Sequence, residues 1–288
     1  MEIERERVSE YPASLAEHSS NSHEVSLWWL GQAGFAVRCK DDLFLIDPYL
    51  SDYLAEKYKN SEFPHQRMMD PPVTATDIEE LTAVLCTHSH SDHMDPGTVP
   101  ELMASNENAQ LIIPRSARGK ARELDIRKKC LRTINSGETM RLGNTATLSA
   151  LPAAHETREK DRNGNDRFLG YVLDIAGVRM YHSGDCVLYS GLVNKIRSSA
   201  VQVALLPVNG RDEYRRERGI MGNFTIEEAF RMCHNTGIET LIPHHFGMFA
   251  FNTVPASEIA EVAEEYRETI HCIIPEIGYR YVIKTGEE

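Results

Sequence analysis

The chain predicts an α+β fold of the αββα type, two mixed sheets packed face to face with helices on their outer faces. Two observations predict it. Short apolar runs, bounded by turns rich in Gly, Pro and Asp, group together in each half of the sequence. Stretches with helical periodicity flank each group. Sheets must bury their apolar faces, and two stacked sheets with helices outside is the layered arrangement that satisfies grouped strands and flanking helices.

The elements follow in order. Residues 1–24 are polar, rich in Ser, Glu and His and without periodicity, which predicts a mobile or edge-packed tail ahead of a single domain at 25–288. Residues 25–30, 35–39 and 43–46 are apolar runs separated by Gly31, Gly34 and the Lys40-Asp41-Asp42 turn, a pattern of antiparallel strands. Residues 51–76 contain Pro64, Pro71 and Pro72 and read as a long loop, a type of segment that often covers a site. A buried strand is expected at 83–87, helices at 98–105 and 116–124, and a strand at 111–113 between them. Residues 146–151, 168–175, 178–182 and 201–206 read as strands, with Asp174-Ile175-Ala176-Gly177 closing a hairpin. Thr225 and Glu228 form a capping box for a helix that ends before Gly237. A short strand at 241–243, an amphipathic helix at 256–267 and a closing strand at 271–283 complete the pattern.

Composition narrows the function. In 288 residues, 41% hydrophobic and 26% charged content is ordinary for a soluble globular enzyme, and no apolar run of membrane-spanning length occurs. The charged start, Met1-Glu2-Ile3-Glu4-Arg5-Glu6-Arg7, has no apolar segment behind it, so no secretory signal is expected and the cytoplasm is the default. The six cysteines form no C-x-x-C pair and are expected as buried free thiols. A formal charge of −12 opposes a nucleic-acid partner, whose phosphates supply most non-specific affinity. A small-molecule substrate is expected, and the composition is compatible with a homo-oligomer.

His88-Ser89-His90-Ser91-Asp92-His93 reads H-x-H-x-D-H. Imidazole nitrogens and carboxylate oxygens bind borderline divalent cations such as Zn²⁺, Mn²⁺ and Fe²⁺. Where the chain leaves a strand for a loop, His88 and His90 can point to one ion while Asp92 and His93 turn toward a second. The motif resembles the signature of the metallo-β-lactamase fold superfamily. Other landmarks fall in that superfamily's order: Trp28-Trp29-Leu30-Gly31-Gln32-Ala33-Gly34-Phe35, Leu45-Ile46-Asp47-Pro48, Ala153-Ala154-His155, Tyr181-His182-Ser183-Gly184-Asp185 and Ile242-Pro243-His244-His245-Phe246. The W-W-L-G opening, the Y-H-S-G-D segment, Arg218-Gly219-Ile220 and the P-x-H ending are similar to the ascorbate-6-phosphate lactonase branch. That resemblance covers residues 25–283. It differs at His155, a position that need not be histidine in the lactonase branch.

The resemblance implies a centre of two divalent ions, Zn²⁺ or Mn²⁺, set about 3.5–4 Å apart. His88, His90 and His155 would hold the first, Asp92, His93 and His245 the second, and Asp185 would bridge. The P-x-H pattern selects His245, and strand alternation sends His244 the other way. An aspartate bridge rather than a cysteine makes β-lactamase activity a poor expectation. Such a centre activates a bridging water as hydroxide, with Asp92 orienting it as the catalytic carboxylate. Arg67, Arg158, His182, Tyr189 and Arg218 are the candidate substrate-binding residues, the arginines because a planar guanidinium grips phosphate or carboxylate with paired hydrogen bonds. The expected function is a metal-dependent hydrolase on a small anionic substrate, with lactone ring opening of a sugar phosphate as the specific case. A phosphodiesterase is the alternative. A di-iron oxidoreductase is a further one, disfavoured because such relatives usually carry a fused flavin domain for which this length leaves no room.

Overall fold

The computed structural model describes residues 1–17 and 23–284. Its first strands are β1 (Glu2–Arg7), β2 (Glu24–Gly31), β3 (Gly34–Cys39), β4 (Asp42–Ile46), β5 (Ala83–Leu85), β6 (Gln110–Pro114) and β7 (Leu131–Ile134). The second half supplies β8 (Thr139–Leu142), β9 (Ala146–Pro152), β10 (Leu169–Ile175), β11 (Val178–His182), β12 (Val203–Pro207), β13 (Thr240–His244), β14 (His271–Cys272) and β15 (Tyr279–Lys284). Among the described residues one sheet runs β1-β15-β2-β3-β4-β5-β6-β7 and the other β14-β13-β12-β11-β10-β9-β8. Each sheet is mixed: β2–β3–β4 and β8–β9–β10–β11 pair antiparallel, whereas β4–β5–β6–β7 and β11–β12–β13–β14 pair parallel. This is the αββα sandwich of the metallo-β-lactamase fold.

Strand β2 shows why the layers form. Its side chains alternate between two apolar cores, as the two-residue period of a strand requires. Val25, Leu27 and Trp29 face the core between the sheets with Phe35, Phe44, Leu148 and Leu205. Trp28 and Leu30 enter a second core, where Val99 and Leu102 of the helix Val99–Ser105 cover the outer face. Across the sandwich, the helix Ile226–Thr236 packs on the other sheet and carries the expected capping box, with Thr225 accepting from the Glu228 amide and Gly237 closing it at φ +76°. No described helix is long and apolar enough to cross a membrane.

The structure corrects several boundaries. Residues 271–283 are two strands in different sheets, because Pro275 lacks an amide to donate and Gly278 turns the chain at φ +92°. The 51–76 segment is mostly irregular but includes the short helix Tyr53–Lys57. Within the 1–24 tail, β1 zips antiparallel to β15, and the helix Tyr11–Ala16 is pinned where Tyr11 donates to the Trp29 carbonyl and Trp28 donates to Ser14. Its described residues pack along the sheet edge; residues 18–22, including His18, lie outside the described residues. The cysteines are all free, five of them buried and Cys272 partly so.

Candidate metal centre

The ligands come from loops that leave one edge of the sandwich. Strand β5 feeds His88–His93, β9 runs out toward His155, β11 leads into Asp185, and β13 ends beside His245. Ligands gather here because carboxyl ends of neighbouring strands in such sheets open into a common crevice. Gly184 lets β11 deliver Asp185. It sits at φ +59°, and a Cβ there would lie 2.7 Å from the Thr87 hydroxyl and 2.9 Å from the Leu169 carbonyl oxygen.

The structure brings all the expected ligands together in two groups. His88, His90, His155 and Asp185 form one, and Asp92, His93 and His245 the other, with the ligand atoms in each within 4.8 Å of one another. Asp185 spans both. Its Oδ2 lies 3.4 Å from His155 Nε2, while Oδ1 lies 3.2 Å from His93 Nε2 and 3.4 Å from His245 Nε2. Asp92 Oδ2 closes the second group at 3.6 Å from both His93 Nε2 and His245 Nε2.

Hydrogen bonds behind the rings select which nitrogen faces inward. His93 Nδ1 donates to Asp47 Oδ2 at 2.7 Å. The Thr87 hydroxyl donates to that same oxygen at 2.6 Å and so must accept from His88 Nδ1, 3.1 Å away. His155 Nδ1 donates to the Gly222 carbonyl at 3.1 Å. Each ring therefore points its Nδ1 proton away from the cluster and turns Nε2 inward, the orientation that metal-binding histidines use. The Nε2 atoms of His88 and His93 and Oδ1 of Asp185 are buried without a hydrogen-bond partner. Each such orphan costs about 1–3 kcal/mol in a protein interior. Two cations would satisfy them, and the nitrogen and oxygen donors suit Zn²⁺ or Mn²⁺.

The electrostatics separate the groups. Burial, with the neighbouring rings, pushes His88 well below the ordinary imidazole range and His155 down to about 4. Desolvation also lowers His90, although its ring is open to the cleft. Burial opposes charge on His93 and His245 too, but there the carboxylates win: Asp185, Asp92 and Asp47 raise His93 well above its usual value, and Asp185 with Asp92 pushes His245 up to about 9. Burial alone would raise Asp92 and Asp185, yet the surrounding imidazoles hold both well below the usual carboxylate range.

The candidate substrate-binding residues divide. Arg218 lines a cleft of about 780 Å³ above the ligands, together with Asp92, His90 and His245. Arg67 does not reach it: its guanidinium donates to the carbonyls of Met69, Tyr49 and Ser51 and lies over the Tyr49 ring. Arg158 pairs at 3.0 Å with the buried Asp166, and the Tyr189 hydroxyl donates to the Pro152 carbonyl. His182 is buried behind the centre, donating to the Ala33 carbonyl at 2.8 Å and stacked 4.7 Å from His244. Arg158, Tyr189 and His182 brace the segments around His155 and Asp185, whereas Arg67 ties together residues 49–51 and 67–69.

Three contributors were not assigned a role from sequence. Asp47 holds two of the ring networks, and its place in the Leu45-Ile46-Asp47-Pro48 landmark was the available signal. Gln32 sits in a left-handed turn at φ +50°, with Nε2 3.0 Å from Asp92 Oδ2 and 3.1 Å from His245 Nε2. Its own carbonyl accepts from the His245 amide. The third is His65, which lines the cleft.

The β-lactamase superfamily domain model matches residues 43–246. The chain belongs to that superfamily. It is similar, at 28% identity over 265 residues, to a UPF0173 metal-dependent hydrolase of Caldivirga maquilingensis, covering 91% of this chain and 96% of the relative. Its fold is similar to that of Igni18, a metallo hydrolase from Ignicoccus hospitalis, with a TM-score of 0.66 at 20% identity over 91% of this chain and all of that one. An isothiocyanate hydrolase from Delia radicum gut bacteria shares the fold at a TM-score of 0.68 and 17% identity, covering 88% of this chain and 98% of its own.

Proposed function

We propose that the protein is a metal-dependent hydrolase that opens an ester-type bond, a lactone in the specific case, in a small substrate bearing an anionic group. The observation that carries this reading is Asp185 shared between two ligand groups beneath an open cleft. The similarity to relatives named metal-dependent hydrolases supports it. Two Zn²⁺ or Mn²⁺ ions held by His88, His90, His155, Asp185, Asp92, His93 and His245 would lower the pKa of water from about 15.7 toward 7 and polarise the substrate's carbonyl oxygen.

The chain's own residues do the rest. Asp92, ionised and partly open to the cleft, accepts a hydrogen bond from the attacking water and passes its proton to the leaving oxygen. Asp47, Thr87 and the Gly222 carbonyl keep the His93, His88 and His155 rings turned inward. Arg218 offers its guanidinium from the rim to an anionic group, in competition with Glu62 3.1 Å away. The sugar-phosphate form of the proposal loses Arg67 and Arg158, which are already bonded elsewhere. The test is a parallel assay of lactones, carboxylic esters and phosphodiesters on protein reconstituted with Zn²⁺ or Mn²⁺. Turnover of lactones or esters is expected; turnover confined to phosphodiesters would replace this reading with the phosphodiesterase one.

A further inference from the structure

We infer that the substrate carries a planar aromatic group, held by a cluster of rings that walls the cleft beside the metal centre. The inference rests on the hydrolase reading for its chemistry. Tyr58, Phe63, His65, Phe249 and Phe251 all line the cleft that contains Asp92, His90 and Asp185. His65 stacks on Tyr58 at 4.4 Å and meets Phe249 and Phe251 edge-on at 5.0 and 4.8 Å. Phe63 lies 5.1 Å from Phe251, and Phe249 and Phe251 are parallel within 10°. Aromatic rings favour such offset and edge-to-face arrangements, and the rings that border the cleft offer the same kind of contact to an incoming ring.

His65 belongs to this wall as a neutral ring. Its Nδ1 lies 2.8 Å from the Phe63 carbonyl, to which it donates, and burial lowers its pKa. It therefore adds a flat face rather than a cation.

The charges in the cleft point the same way. Lys57 sits 4.9 Å over the Tyr58 ring, Lys120 is 3.0 Å from Glu123, and Arg218 is paired with Glu62 and lies 3.7 Å over the Tyr214 ring. Asp92, Asp185 and Glu62 line the same space. A densely anionic sugar phosphate meets cations that already have partners, beside several carboxylates. A ring-bearing ester or lactone meets a matched wall. In that reaction the acyl C–O bond breaks, the oxygen of water forms the new acyl C–O bond, one proton of the water moves to the departing oxygen, and the other is released to solvent as the new acid ionises. The products are a carboxylate and an alcohol, joined in one molecule where the substrate is a lactone.

The experiment measures binding of phenylacetate, acetate and glucose 6-phosphate to the full chain reconstituted with Zn²⁺, by calorimetry. Phenylacetate should bind about tenfold tighter than acetate and tighter than glucose 6-phosphate. Phe251→Ala and Phe63→Ala should each reduce that advantage while leaving acetate affinity unchanged, and circular dichroism should show both variants folded. Equal affinity for phenylacetate and acetate, tighter binding of glucose 6-phosphate, or an advantage intact in both variants would overturn the inference. The same protein is then given phenyl-bearing and alkyl esters. If no ester is cleaved while the phenylacetate preference holds, the hydrolase reading fails and the aromatic site stands. If both are cleaved at equal kcat/KM, the aromatic site fails and the hydrolase reading stands.

Discussion

His88 and His155 in the first ligand group are kept neutral by burial, whereas His93 and His245 in the second are drawn toward protonation by Asp92 and Asp185. The groups are made of the same residue types and share one carboxylate. Their difference lies in what stands behind and beside them. The first faces protein backbone and a threonine hydroxyl, and the second faces an extra carboxylate and the Gln32 amide. The first is thus a preformed seat for a cation. In the second, a cation must displace protons and compete with the Gln32 amide.

Removing the shared ligand should have the largest effect. Asp185→Ala is expected to lose both ions and at least about 1000-fold in kcat/KM, roughly 4 kcal/mol. Asp92→Ala should keep the first ion and lose the second together with turnover. Both variants should keep wild-type circular dichroism, because neither side chain supports a strand. Asp47→Asn probes both groups, since one carboxylate oxygen serves His93 directly and His88 through Thr87. Weaker metal binding by about 10- to 100-fold is expected, measured by competition with a chromophoric chelator.

Acidity should then separate the groups. A ring whose pKa is raised carries a proton that an incoming cation must expel, so affinity at the second position should fall as pH drops below about 9, the value for His245. His155, held to about 4, imposes no such penalty on the first position until near that pH. Titrations at pH 8 and 6 should show one equivalent weakening by about tenfold per unit for each proton expelled, while the other moves far less. The smallest effect is expected from Gln32→Leu, which removes the amide beside Asp92 and His245. A several-fold change confined to the second equivalent would sharpen the contrast, and an equal change at both would erase it.

Much of this centre was legible because each ligand follows closely on a short apolar strand. A run such as 83–87 both fixes the sheet and delivers the histidines after it. The αββα layering was legible for the same reason, from grouped strands and flanking helices. The edge strand β1 was not, because its Glu-Ile-Glu-Arg-Glu-Arg sequence is charged at every position except Ile3, as suits an exposed sheet edge. The break in 271–283 was hidden by an apolar run that continues on both sides of Pro275. Arginines were the poorest guide. Arg67 is anchored by three carbonyls that only the folded loop brings together, and no local pattern announces that. Gln32 was unreadable as well, because its place beside Asp92 and His245 depends on a turn meeting loops from distant parts of the chain.

The central claim is a pair of cation positions joined by Asp185. Elemental analysis of wild type and Asp92→Ala, each reconstituted with Zn²⁺ or Mn²⁺ and freed of excess ion, tests it most directly. About two equivalents per chain in wild type and about one in Asp92→Ala are predicted from the two ligand groups. A wild-type stoichiometry fixed at one, unchanged by Asp92→Ala, would contradict it.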